Sequence, residues 1–103
     1  MFGFGHAEKA HAAVYGGEHE GSLTHELLAA AASFEAMRMY EQRQREQGET
    51  VSHGLAKELL AAFVGAEIDK LVETKGLDYL DRDEAKRLAT EQAHALYGER
   101  YGG

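Results

Sequence analysis

Two glutamates, Glu35 and Glu67, are the residues of this chain whose positions point most directly to chemistry. Each lies seven residues after a leucine of its own segment, so each extends the apolar stripe of that segment if the segment is helical. Two carboxylates that face each other near a core repel unless a proton, a cation or a basic side chain lies between them. The pair therefore indicates a metal or proton site. The alternative is that the glutamates form separate ion pairs with the helix neighbours Arg38 and Lys70.

Two histidines, His25 and His53, lie near the starts of the two longest helical segments. Imidazole nitrogens are good ligands for Zn, Cu, Fe and Ni. We therefore group His25 and His53 with Glu35 and Glu67 as candidate ligands of a divalent metal or a haem. The alternative is that each histidine is solvated or caps its helix.

Two Glu-x-x-His motifs, Glu8/His11 and Glu91/His94, raise the further hypothesis of a di-metal site. At this spacing both side chains share one helix face. Ferritin-like sites combine two such motifs with one glutamate from each of two other helices, and the two glutamates described above would complete that set. Against it, the first helical segment is short, and the order of the motifs along the chain differs from the ferritin-like order.

Catalytic signatures are weak in this sequence. It has no cysteine, so thiolate chemistry and disulfides are excluded. No glycine-rich phosphate loop follows a strand, and the Ser52-His53 dipeptide lacks the surroundings of a nucleophile elbow. The sequence leaves catalysis undecided and favours a protein that is not an enzyme.

The charge balance restricts the partners. The chain has 11 basic and 18 acidic residues and a net charge of -7, and such a chain repels phosphate backbones. We therefore expect no nucleic-acid binding. The longest apolar run, at 27–34, is too short to span a bilayer, and no signal peptide is recognisable, so we expect no membrane partner and a cytoplasmic location.

Glycines divide the chain into four helical segments, and the absence of proline leaves those helices uninterrupted. Gly48, Gly76 and Gly98, like the Gly16-Gly17 pair, each follow a stretch of good helix formers. Ser22, Ser52 and Asp81 are the expected N-caps. The predicted helices cover about 6–15, 22–47, 53–75 and 81–97, so the fold class is all-α.

The two long segments are predicted to form an antiparallel hairpin over 22–76, because only a few residues connect them. Segments 1–21 and 77–103 flank the hairpin within one domain, 1–103. The fourth helix could cover one side of the hairpin and a second copy of the chain the other, so we expect a homodimer and a dimeric helical bundle. A pocket for a small apolar ligand is expected along a set of bulky side chains: Phe34, Met37, Met39 and Phe63.

A family resemblance is carried by four blocks of sequence: MFGFG at the start, HELLAAAASFEAM at 25–37, VSHGLAKELLAAFVGAEIDKLVETKG at 51–76 and the closing YGG. In order and content these blocks resemble the fungal CipC-like (concanamycin-induced protein C) antibiotic-response family. The resemblance implies a small intracellular protein whose abundance rises under antibiotic or other stress. It brings no assigned catalytic residue and no established biochemical activity, which leaves binding or self-association as the expected mode of action.

Overall fold

Four α-helices make up the regular structure of the computed structural model, which describes residues 4–15, 24–48 and 51–102. They are α1 (Phe4–Tyr15), α2 (His25–Gln47), α3 (His53–Lys75) and α4 (Arg82–Tyr101). No strand occurs in these ranges, so the all-helical prediction is confirmed. None of the described helices combines the length and the apolar content that crossing a bilayer requires.

Side chains cap the first turns of α2, α3 and α4. Ser52 accepts a hydrogen bond from the backbone N–H of Leu55 at 3.2 Å, and Asp81 accepts from the N–H groups of Asp83 and Glu84, so both predicted caps are confirmed. The cap of α2 is Thr24 and not Ser22, which lies outside the described residues. Thr24 carries an equivalent hydroxyl acceptor two residues later, and the helix begins there.

Glycines in the left-handed conformation end the two long helices as expected: Gly48 has φ 69° and Gly76 has φ 66°. The predicted end of α4 is wrong. Gly98 lies inside the helix, which continues to Tyr101 and ends at Gly102 with φ 72°. The last turn is held because the Tyr101 ring packs on other tyrosines of the core. The Gly16-Gly17 pair lies outside the described residues.

Helix α2 is the central helix, since it packs against α1, α3 and α4. Its contacts with α4 run in the same direction along both chains, from His25 with Asp81 to Glu41 with Tyr101. Helices α2 and α4 are therefore parallel.

The contacts between α3 and α4 run in opposite directions. His53 meets Tyr97 near the start of α3, whereas Asp69 meets Lys86 towards its end. Helices α3 and α4 are therefore antiparallel. The hairpin and the dimer expected from the sequence stay predictions.

Small residues on α2 form the middle of the core. The alanines at 29–32 are all fully buried, which lets the neighbouring helix backbones approach α2 closely. Larger side chains from the other helices complete the packing, among them Leu60, Ile68 and Leu96. Truncating such a leucine to alanine typically costs about 2–5 kcal/mol, so this core fixes the positions of the helix ends described below.

Candidate functional site

A pocket with a volume of about 880 Å³ opens where α2 ends, α3 begins and α4 ends. It has aromatic, charged and small polar walls, and we call it the tyrosine pocket. Its lining residues are Tyr40, Glu41, Gln44, Arg45, Gly48, Val51, Ser52, His53, Tyr97, Arg100 and Tyr101. Its volume lies within the range of small-molecule sites in proteins, roughly 300–1,000 Å³.

Three tyrosine rings form the aromatic part of the pocket. Tyr40 and Tyr97 are 5% and 3% exposed, and their rings meet edge to face with centroids 5.9 Å apart. Tyr101 lies one helical turn beyond Tyr97, is 45% exposed, and has its ring centroid 5.0 Å from that of Tyr97. The buried rings of Tyr40 and Tyr97 form the floor of the pocket, and the exposed ring of Tyr101 forms a wall that a ligand can reach.

A hydrogen-bonded chain of side chains runs from this floor to the rim of the pocket. The Tyr97 hydroxyl lies 2.6 Å from Nδ1 of His53, which is exposed at the start of α3. Burial raises the pKa of the Tyr40 hydroxyl, and its contact with Tyr97 raises that pKa further. The contact between Tyr97 and His53 forms with either group as the donor, according to which nitrogen of the imidazole carries the proton.

The charged wall of the pocket is organised around Glu41. Its carboxylate accepts from Arg100 at 2.5 Å and from the Tyr101 hydroxyl at 2.8 Å. Burial, followed by the hydrogen bond to Glu41, raises the pKa of Tyr101 to about 12. Arg45, on the last turn of α2, adds a second guanidinium to the lining.

The structure places Glu35 and Glu67 together in a different region, beneath α1. Glu35 accepts from His11 at 2.7 Å and from Arg38 at 3.0 Å. Glu67, which is 5% exposed, accepts from the Tyr15 hydroxyl and has the Lys70 ammonium 3.8 Å away. Both alternative ion pairs proposed from the sequence are therefore present.

His11 and Tyr15 on α1 are the partners that the sequence analysis did not identify. Their rings stack with centroids 4.2 Å apart, so two hydrogen bonds and one ring stack join Glu35 to Glu67 through α1. We call this the α1 contact. The available signal was the spacing of His11 and Tyr15, which at i, i+4 places both rings on one helix face.

The two Glu-x-x-His motifs do not meet. Glu8 is exposed on α1, whereas Glu91 pairs with Arg87, and Nε2 of His94 lies 3.1 Å from the Lys57 carbonyl oxygen. Within 4–15, 24–48 and 51–102, no group of three or more His, Asp and Glu side chains is placed to hold a metal ion. The di-metal arrangement is thus not formed among the described residues.

His25 and His53 lie at opposite ends of α4, apart from each other and from the α1 contact. Nε2 of His25 accepts the backbone N–H of Asp81 at 2.9 Å, and His53 meets Tyr97. The two contact points are separated by about 24 Å along α4 at 1.5 Å per residue. The structure therefore does not bring Glu35, Glu67, His25 and His53 into one ligand set.

The four residues expected to line an apolar pocket are also dispersed. Met37 is buried in the core, and the Phe34 ring lies against the His11 ring at 5.0 Å. Met39 and Phe63 line a separate, shallow groove of about 330 Å³. We call it the methionine groove.

The tyrosines of the pocket were missed for an identifiable reason. Tyr97 and Tyr101 share a helix face at i, i+4, but ending the helix at Gly98 assigned Tyr101 to a tail. Tyr40 lies three residues after Met37 and continues the same apolar stripe. A longer α4 would have brought two of these rings together from the sequence alone.

Comparison with known proteins gives one family. The family model described as "Virulence factor CipC-like" matches residues 10–100, which is most of the chain. No curated protein and no solved structure matches the chain.

Proposed function

The chain belongs to the CipC-like family, and on that premise we propose that it is a non-enzymatic binding protein of a stress or virulence-associated response in the cytoplasm. The tyrosine pocket is its small-molecule site. The observation that carries the proposal is the pocket itself: about 880 Å³, with two buried tyrosine rings as its floor and an exposed tyrosine as its wall.

The protonation states of the pocket phenols support binding over acid–base catalysis. A general acid or base works best when its pKa lies near the working pH. The pKa values of Tyr40 and Tyr101 are raised above the ordinary phenol value, so both stay neutral near pH 7. Neutral phenols next to an ion-paired Glu41 provide fixed hydrogen-bonding groups, which suit recognition.

The scaffold belongs to the proposal too. We take α2 and α3 as an antiparallel hairpin, with Gly48, Val51 and Ser52 between them at the rim of the pocket. The directions of the helices support this, since α4 runs parallel to α2 and antiparallel to α3. The C-terminal part of α4 then packs Tyr97 and Tyr101 against the connected end of the hairpin, where α2 ends and α3 begins.

The alternative function stays a prediction: metal or haem binding by Glu35, Glu67, His25 and His53. Native mass spectrometry distinguishes it from the proposed function. Both glutamates already accept hydrogen bonds in the α1 contact, and a metal there would have to displace His11 or Tyr15. The expected homodimer is separable by the same measurement, because native mass spectrometry reports subunit number and bound mass together.

The test is native mass spectrometry of the purified protein after incubation with a small-molecule cell extract, with elemental analysis of the same sample. Val51 lines the pocket and is partly exposed, so Val51→Trp should fill it. Ala95→Trp adds the same ring at an exposed position of α4 outside the lining and is the matched control. We expect a small-molecule adduct on the parent and on Ala95→Trp, and none on Val51→Trp.

Two results would overturn the proposal. One is an adduct that survives Val51→Trp, which would place the site elsewhere. The other is a parent protein with stoichiometric metal and no organic adduct, which would favour the metal or haem hypothesis.

A further inference from the structure

We infer that the tyrosine pocket selects a planar aromatic molecule that carries an anionic group, such as a carboxylate or a sulfonate. This inference rests on the proposed function and deepens it by naming the ligand class. It is carried by the ring surfaces, the hydrogen-bond donors at the rim and the balance of charges in the pocket.

The ring surfaces favour an aromatic ligand. Tyr101 is 45% exposed, and its ring is tilted by 37° to the Tyr97 ring and lies nearly perpendicular to the Tyr40 ring, 6.4 Å away. Aromatic rings attract each other in offset-stacked and edge-to-face arrangements with centroids about 4.5–7 Å apart. A planar ligand ring entering the pocket can meet the Tyr101 ring in such an arrangement.

Hydrogen-bond donors lie at the rim of the pocket, beside its aromatic floor. His53 is exposed there, with Nδ1 2.6 Å from the Tyr97 hydroxyl. A neutral imidazole has one N–H donor and a protonated imidazole has two. The Ser52 hydroxyl also has a proton to donate, because its hydrogen bond from the Leu55 N–H uses only the oxygen as acceptor.

The charged side chains add to this excess of donors. Among the described lining residues there are two guanidiniums, Arg45 and Arg100, and one carboxylate, Glu41. That carboxylate already accepts from Arg100 and from Tyr101. The described lining residues thus carry a net positive charge on a chain whose net charge is -7.

The helix ends near the pocket do not reverse this balance. The first turn of α3 contributes a partial positive charge, and the last turns of α2 and α4 contribute partial negative charges of roughly half a unit each. The carbonyls of Gln44 and Gly98 in those last turns are capped by the N–H groups of Gly48 and Gly102. The full positive charge of the Arg45 guanidinium outweighs these partial charges, so the pocket favours an anionic ligand group.

The experiment compares two fluorescent probes with the same ring system. One is the aromatic sulfonate 8-anilinonaphthalene-1-sulfonate, and the other is N-phenyl-1-naphthylamine, which lacks the sulfonate. We expect one sulfonate probe per chain, bound up to about five-fold tighter than the neutral probe, because a single partly exposed ion pair contributes up to about that factor. Val51→Trp should abolish this binding.

Arg45 supplies the decisive variant, and its exposure means that Arg45→Gln should fold normally. Arg45→Gln should weaken the sulfonate probe about five-fold and leave the neutral probe unchanged, whereas Arg45→Lys should keep most of the affinity. Arg43→Gln is the matched control, since Arg43 lies on the same helix but lines the methionine groove. It should change neither probe.

The outcomes separate the two claims. Equal binding of both probes, both lost in Val51→Trp, would leave the pocket as the site and overturn the preference for an anion. Equal loss of sulfonate binding in Arg43→Gln and Arg45→Gln would also overturn it, because a general loss of positive charge would then explain the effect. Sulfonate binding that survives Val51→Trp would overturn the inference together with the proposed function.

Discussion

The α1 contact and the tyrosine pocket are built from the same side-chain types, but they differ in whether another helix lies over the polar groups. In the α1 contact, His11 and Tyr15 each meet a glutamate of another helix, and their rings stack on each other. These polar groups bind each other, and the hydrogen bonds hold the short helix α1 against the rest of the bundle.

In the tyrosine pocket, a histidine, tyrosines and a glutamate again lie together, here in the form of His53, Tyr97, Tyr101 and Glu41. Three helix ends meet there, and the described residues leave a cavity between them. The comparison teaches that residue type does not distinguish a structural polar contact from a candidate binding site. What distinguishes them is whether a further helix lies over the polar groups.

The largest expected difference between the two regions comes from Tyr15→Phe. Removing this hydroxyl leaves Glu67, a buried carboxylate, without its closest hydrogen-bond donor. We expect the free energy of unfolding to fall by about 1–3 kcal/mol, as measured by denaturant unfolding. A double-mutant cycle with Glu67→Gln should give a coupling energy well above zero, and additive effects would contradict the assignment.

Alkaline pH should act on the same contact. Burial, and next the hydrogen bond to Glu67, raises the pKa of Tyr15 above its ordinary value near 10. The neutral phenol is the form the fold favours, so its contribution is complete below about pH 10 and is lost above that, at about 1.4 kcal/mol per pH unit. Unfolding measured from pH 9 to 11 should show a shallower decline for Tyr15→Phe than for the parent, and identical slopes would contradict this.

The corresponding substitution in the pocket, Tyr97→Phe, should cost less. It removes the hydroxyl between Tyr40 and His53, but the cavity lets water take over the lost hydrogen bonds. We expect a loss of about 0.5–1 kcal/mol in the free energy of unfolding. A cost equal to that of Tyr15→Phe would show that the two regions are equally closed and would break the comparison.

The smallest expected effect is that of Glu41→Gln at the pocket wall. Its partner Arg100 is exposed, and ion pairs of this kind contribute about 0.2–1 kcal/mol. The loss of unfolding free energy should shrink further in high salt, because salt screens exposed charges. Salt-independent destabilisation would instead indicate a desolvated pair and a more closed pocket.

Local sequence signals predicted the helices and most of their ends. Ser52 and Asp81 were identified as caps, and Gly48 and Gly76 as helix ends, because each acts on backbone groups within one turn of itself. The ion pairs of Glu35 and Glu67 with their own helix neighbours were predictable for the same reason. The prediction that α4 ends at Gly98 was wrong, because a glycine at an ordinary helical φ is tolerated when the following turn is packed.

The sequence by itself determined that this chain is helical, which residues cap the starts of α3 and α4, and which family the chain belongs to. Only the tertiary structure decided what the candidate residues face. Glu67 meets a tyrosine 52 positions away and His53 one 44 positions away, and such partners depend on how whole helices are placed. Helix placement follows from the packing of the entire core around the small residues of α2, which no local pattern encodes.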